Sequence, residues 1–122
     1  MGRRFVLVAA MLAAFLVPAG GRAPLGEVAV AQDVGEKTLL DNDRLMMIEF
    51  VFPAGFKGEE HAAVADEFAY VLDGQFAVVT KGQGKRVLRK GEVEYASKGT
   101  VHYSLNETKR PARVLVVLLK ER

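Results

Sequence analysis

From Arg44 onward the chain is a succession of short runs rich in Val, Leu, Phe and Tyr, each cut off by Gly, Pro, Asn or Asp. Runs so short and so bounded read as strands. They lie at 44–52, 67–72, 75–80, 85–88, 101–105 and 113–119, and no segment after residue 31 sustains a helical period. Many short strands at such intervals bury their faces against one another in a sandwich or barrel. Asp73 and Gly74 lie between two apolar runs and predict the left-handed backbone of a tight hairpin turn. The Lys81–Lys85 segment marks a second hairpin, Asp41–Asp43 a turn before the first run, and Pro111 a turn before the last.

The first 31 residues follow a different pattern. Arg3 and Arg4 precede an uncharged apolar run from Phe5 to Val17, and Ala29, Val30 and Ala31 form a small-residue cleavage pattern before Gln32. This predicts a secretory signal peptide over residues 1–31 and a single domain over 32–122, with an earlier cut after Ala19 as the alternative. A helix of the apolar run would span about 20 Å, short of a hydrocarbon core of about 30 Å, so no stable membrane span is expected once the leader is cleaved. The expected location is periplasmic or secreted. The residues around Arg3 and Arg4 match a twin-arginine signal poorly and favour the general secretory route.

Without the leader the charge argument changes. The whole chain holds 17 basic and 15 acidic residues, and removing Arg3, Arg4, Arg22 and Glu27 leaves the two signs balanced. A nucleic-acid partner needs a concentrated basic face. Lys81, Lys85, Arg86, Arg89 and Lys90 cluster around Gly82 and Gly84 with few aromatics, as a solvated hairpin does, so no nucleic acid is expected. The chain has no cysteine, which excludes disulfides, thiolate metal sites and a cysteine nucleophile.

Both histidines of the chain fall in glycine-started runs. In the first, GFKGEEHAAVADEFAYVLDG, Gly55 is followed by His61, Glu67 and Gly74; in the second, GEVEYASKGTVHYSLN, Gly91 is followed by Gly99, His102 and Asn106. These runs resemble the two signature motifs of the cupin family. All marked positions agree except Ala63, where the first motif has a second histidine, and Ser97, where the second has proline. The flanking TLLDNDRLMMIEFVFPAG and PARVLVVLLK look like the outer strands of small single-domain cupins, so the resemblance covers nearly all of residues 36–120. It implies an all-β fold, the double-stranded β-helix or jelly-roll barrel.

In such a barrel one strand face is interior, which brings His102 toward His61 and Glu67, with Ala63 pointing where His61 points. Typical cupins hold a metal with three histidines and a glutamate, and this chain offers His61, Glu67 and His102. Two imidazoles and a carboxylate suit a divalent transition metal: Fe, Mn, Co, Ni, Cu or Zn. Such a set leaves coordination positions open for substrate, as in non-haem iron enzymes. The small Ala63 side chain would make further room, or else marks the decay of a metal site.

Two functions follow. One is an exported metal-dependent cupin acting on a small organic molecule, of dioxygenase, isomerase or lyase type. The alternative is a non-catalytic small-ligand binder with a degenerate metal site. A lone buried histidine is usually a hydrogen-bonded core residue; the joint placement with Glu67 is what favours ligation. The four motif glycines read as turn formers, Asn106 as a turn residue bonding its own backbone, and Glu59 and Glu60 as an exposed loop pair. Tyr70, Tyr103 and Glu94 are the nearest polar groups to the motifs. Residues 45–52 are apolar on both faces except at Glu49, which predicts a homodimer covering the outer face.

Overall fold

The computed structural model describes residues 33–121; the leader expected at residues 1–31 lies outside them. Nine strands follow in chain order: β1 Gly35–Asp41, β2 Leu45–Phe52, β3 His61–Ala62, β4 Asp66–Asp73, β5 Gln75–Thr80, β6 Gly84–Arg89, β7 Val93–Ala96, β8 Val101–Leu105 and β9 Ala112–Leu119. Among the described residues there is no helix. A five-stranded sheet runs in the order β1-β2-β9-β4-β7 and a four-stranded one in the order β3-β8-β5-β6. Every pairing is antiparallel. This is the double-stranded β-helix expected from the sequence.

Period-two alternation builds the core. Met46, Ile48, Phe50 and Phe52 of β2 and Ala112, Val114, Val116 and Leu118 of β9 are buried, while the residues between them are half-buried or exposed. Phe76, Val78 and Leu88 meet them from the second sheet. Phe52 is central, its ring stacked on Phe50 at 5.7 Å, Phe56 at 5.1 Å and Phe76 at 5.7 Å. Phe52, Phe76, Val78, Val114 and Val116 of this packing also wall the cavity that holds the polar groups described below.

The turn at Asp73–Gly74 differs from expectation. Gly74 has the left-handed backbone, φ +83°, but β4 and β5 belong to different sheets, so the turn is a corner and not a hairpin. Local chemistry favours positive φ without saying which strands pair. A Cβ on Gly74 would lie 2.6 Å from the Pro111 carbonyl oxygen and 3.0 Å from Ala112 Cα. Gly74→Ala therefore meets both backbone strain and a clash with main chain. A loss of roughly 2–4 kcal/mol is expected in urea unfolding, whereas Gly82→Ala, with open space around its Cβ, carries the strain alone and loses less.

The Lys81–Lys85 segment does form a hairpin, with Thr80 opposite Gly84, and its basic residues are exposed. Asn42 closes the β1–β2 turn by accepting from the Arg44 and Leu45 amides at 2.7 and 3.1 Å. Asn106 does more than bond its own turn. It is 1% exposed; its Oδ1 accepts from the Thr108 amide and hydroxyl, and its Nδ2 donates to the carbonyls of Phe52 and Arg110. Ser97, in the proline position, still closes its turn through Thr100 N–H to Ser97 C=O at 3.0 Å.

Candidate metal and ligand site

The two histidine-bearing runs meet by strand pairing. His61 of β3 lies directly opposite His102 of β8, and their rings are edge-to-face at 4.9 Å between centroids. Glu67 enters from β4 in the other sheet, and its Oε2 is 3.4 Å from His102 Nε2. The three predicted residues therefore converge on one cavity between the sheets. Its other walls are mostly apolar, from Phe52, Ala69, Phe76, Val78, Ala96, Val114 and Val116, with Ser104 and Glu94 as further polar groups.

Burial sets the protonation of the pair. The Glu67 carboxyl rises from 4.5 to about 7 because it is desolvated. The His102 imidazole falls from 6.5 to about 4, through desolvation first and then the nearby His61. Between about pH 4 and pH 7 the Glu67–His102 approach is therefore a contact of neutral groups. At 3.4 Å it is also longer than a good hydrogen bond, so its distance alone does not make it an ion pair.

The hydrogen bonds of His61 fix its tautomer. Its Nδ1 is 3.0 Å from the Glu59 carbonyl oxygen, which can only accept, so Nδ1 carries the proton and Nε2 presents a lone pair. That Nε2 is buried with no hydrogen-bond partner, and so is His102 Nδ1. An orphaned buried acceptor is costly unless something fills its lone pair. Among the described residues no group of three or more His, Asp or Glu side chains is closed on one point as a metal cluster. The donor set fits a divalent transition metal by its chemistry and by the orphaned Nε2, and the three side chains would have to draw together around the ion.

Ala63 is buried, 4% exposed, and clamped by backbone bonds of 2.7 Å to Thr100 C=O and from Gly99 N–H. It does not line the cavity, so it does not provide the extra room anticipated for substrate. Glu59 and Glu60 are exposed, as expected for a loop pair. Tyr70 and Tyr103 flank inward-facing residues and turn outward, Tyr70 being 42% exposed.

Glu94 and Ser104 are the lining residues that the motifs did not single out. Glu94 sits opposite Ala69 on β7 and is held by Arg86 Nη1 at 2.7 Å. Arg86 belongs to β6, at the edge of the other sheet, so this ion pair bridges the two sheets at their open side. The V-E-Y-A alternation of β7 already placed Glu94 and Ala96 on one face. Only the pairing of that strand with β4 shows the face to be interior.

A two-sheet β-barrel whose paired strands deliver histidine, histidine and glutamate into its interior defines a cupin-type site. The family model for the cupin domain matches residues 48–118, and the chain belongs to this family. It is 36% identical over 70 residues to the pectin degradation protein KdgF of Dickeya dadantii, a match covering 57% of this chain and 63% of that relative. KdgF from Halomonas sp. superposes with a TM-score of 0.66 at 26% identity, covering 73% of this chain and 80% of the other. The polyketide cyclase RemF from Streptomyces resistomycificus gives 0.67 at 25% identity, covering 75% and 68%.

Proposed function

We propose that the chain is a metal-dependent cupin that acts on a small organic molecule, with His61, Glu67 and His102 as its metal ligands. The observation that carries this is the buried, partnerless Nε2 of His61, its lone pair left free because Nδ1 donates to Glu59. A bound divalent ion would supply Lewis acidity toward a carbonyl or hydroxyl oxygen.

The residues themselves supply the rest. Glu67 gives the one negative charge among the three donors and must lose its proton to do so. Glu94, its charge matched by Arg86, faces the same cavity and is placed to take a proton from a bound hydroxyl or an acidic carbon. Ser104 offers a hydroxyl that donates or accepts. The free space is only about 30 Å3, enough for an ion and a water or two. A substrate therefore presents its reacting end to the cavity and keeps the remainder outside. The relatives named for pectin degradation and polyketide cyclisation support a small organic substrate. The exported location expected from residues 1–31 belongs to the same proposal.

A second reading is a metal-free binding protein for a small ligand. It is favoured by the lack of a closed metal cluster among the described residues and by a Glu67 carboxyl that is neutral below pH 7 and able to donate a hydrogen bond. Metal content separates the two. Protein purified without chelator and dialysed is expected to hold a substantial fraction of an equivalent of one transition metal, and His102→Ala to weaken rebinding by at least about a hundredfold. Less than about a tenth of an equivalent, with no uptake on titration, overturns the metal proposal.

A further inference from the structure

The inner cavity has room only for the reacting end of a substrate, so the remainder lies against a surface that adjoins it. A groove of about 530 Å3 runs along the seam between β6 and β7, the edge strands of the two sheets. One bank is the β5–β6 hairpin from Thr80 to Arg86; the other is β7, with Glu94, Tyr95 and the neighbouring Phe68. Two connections join groove and cavity. Glu94 lines both. A cross-strand row supplies the second: Gly84 of β6 stands opposite Thr80 of β5, Thr80 opposite His102 of β8, and His102 opposite His61 of β3. Directly opposed residues share a face, so the row leads along the inner face from the groove to both histidines. Its outermost position is a glycine, and a Cβ there would meet nothing within 4 Å. No side chain closes the row at its groove end.

We propose that this groove is an outer subsite for the substrate and that it takes an organic anion with an apolar or ring-shaped body, an inference that rests on the cavity being where the reacting end binds. The charge preference comes from Arg86. Its guanidinium carries five N–H donors, and Nη1 gives one to Glu94 at 2.7 Å. The Arg86 side chain is 55% exposed against 17% for Glu94. Glu94 is thus held at the junction, while the outer side of the guanidinium faces solvent and suits a second carboxylate in the two-pronged geometry that arginine favours. Lys85, tied to Glu107 at the surface at 2.7 Å, puts a second cation on the same bank. The preference for a ring comes from the opposite bank. Phe68 and Tyr95 lie 5.2 Å apart between centroids and are 37% and 51% exposed, an aromatic pair against which an apolar ring loses its hydration. An anion that shares the guanidinium also weakens its hold on Glu94, so filling the groove acts on the acid–base group of the cavity.

Titration of the full, metal-free chain with benzoate, followed by amide NMR shifts, tests the subsite; benzamide is the neutral control of the same shape. Benzoate is expected to bind with a dissociation constant of about 1–10 mM, with shifts at Gly84, Arg86 and Tyr95. Benzamide should bind at least about fivefold more weakly. Arg86→Gln should abolish the difference between the two probes, and Arg86→Lys replaces it if that variant does not fold, with the preference reduced by the loss of the fork. Glu94→Gln releases the guanidinium and should tighten benzoate about two- to fivefold. Lys81→Gln, in the same hairpin but outside the groove lining, should leave the affinity within about twofold. Equal binding of benzoate and benzamide overturns the proposal, as do shifts confined to the histidines or a preference that survives loss of Arg86. Metal uptake by a protein that shows no benzoate shifts overturns the groove and leaves the metal site standing. Benzoate held in the groove by a protein that takes up no metal supports the subsite and overturns the metal site.

Discussion

Zinc binding to the metal-free protein is expected to release about 0.9 of a proton per ion from Glu67 at pH 6 and about 0.1 at pH 8. The sign follows from burial. With its carboxyl raised to about 7, Glu67 is protonated below that pH and must deprotonate to ligate, so affinity loses about tenfold for each pH unit below 7 on its account. His102, lowered to about 4, is already neutral in this window and adds no proton. Isothermal titration in buffers of different ionisation enthalpy counts the protons. Glu67→Gln keeps the shape and removes the proton, so the difference between parent and variant belongs to Glu67. Affinity itself should drop by roughly a hundredfold in that variant. Equal proton release from parent and variant would exclude Glu67 as a ligand.

The same two groups act on the stability of the metal-free protein with opposite signs. Glu67 holds its proton in the folded state between 4.5 and about 7, so its contribution falls as pH rises through that window. His102 is unprotonated in the folded state between about 4 and 6.5, so its contribution falls as pH falls. The two slopes offset one another over most of the range. Glu67→Gln leaves the His102 limb alone, and that variant should lose stability on acidification from 6.5 toward 4 where the parent changes little.

Asn106→Ala is expected to lose about 3–4 kcal/mol, the largest effect of any single polar substitution in the domain. The side chain makes four hydrogen bonds from a site 1% exposed, and they tie the end of β2 at Phe52 to the segment before β9 at Arg110. Its removal strands the Phe52 carbonyl and the Thr108 amide, each worth about 1 kcal/mol or more if left unpaired, and takes one of two donors from the Arg110 carbonyl, which keeps the Thr108 hydroxyl. A fall in melting temperature of roughly 15 °C follows for a domain this size. Asn106→Asp keeps the bonds from Thr108 and loses both donations, so thermal melting should place it between alanine and parent at low pH. A loss under 1 kcal/mol for alanine would mean that water replaces the side chain.

Much of this was readable before folding, for reasons specific to each element. The strands β2, β5 and β8 are rich in apolar and aromatic residues and bounded by Pro, Gly, Asn or Asp, so their limits fell within a residue of those observed. The strand β1 carries no alternation because all its residues are exposed. β3 is two residues long and exists only because His61 pairs with His102. β7 is four residues long and carries a charge, Glu94, at an interior position, so only its pairing with β4 shows which face is inside. The Asp73–Gly74 corner was misread because an Asp-Gly pair encodes a backbone angle and not a partner strand. His61, Glu67 and His102 were recoverable because they stand at positions marked by the two cupin motifs that the chain resembles. Asn106 was half recoverable: its turn is local, while its burial depends on β2 arriving 54 residues away in sequence.

The unequal anchoring of the three candidate ligands has a kinetic meaning. Glu67 lies within the eight-residue β4, which is paired on both sides, and His102 within β8, flanked by β3 and β5. His61 stands on a two-residue edge strand joined to the sheet at His61, Ala62 and the Ala63 clamp. Short edge segments open far more often than central strands. For an ion held by all three, the lifetime of the bound state is then set by how often this one edge detaches, independently of how tightly the closed site holds it. Exchange of the Ala63 amide with deuterium and release of the ion should slow or quicken together.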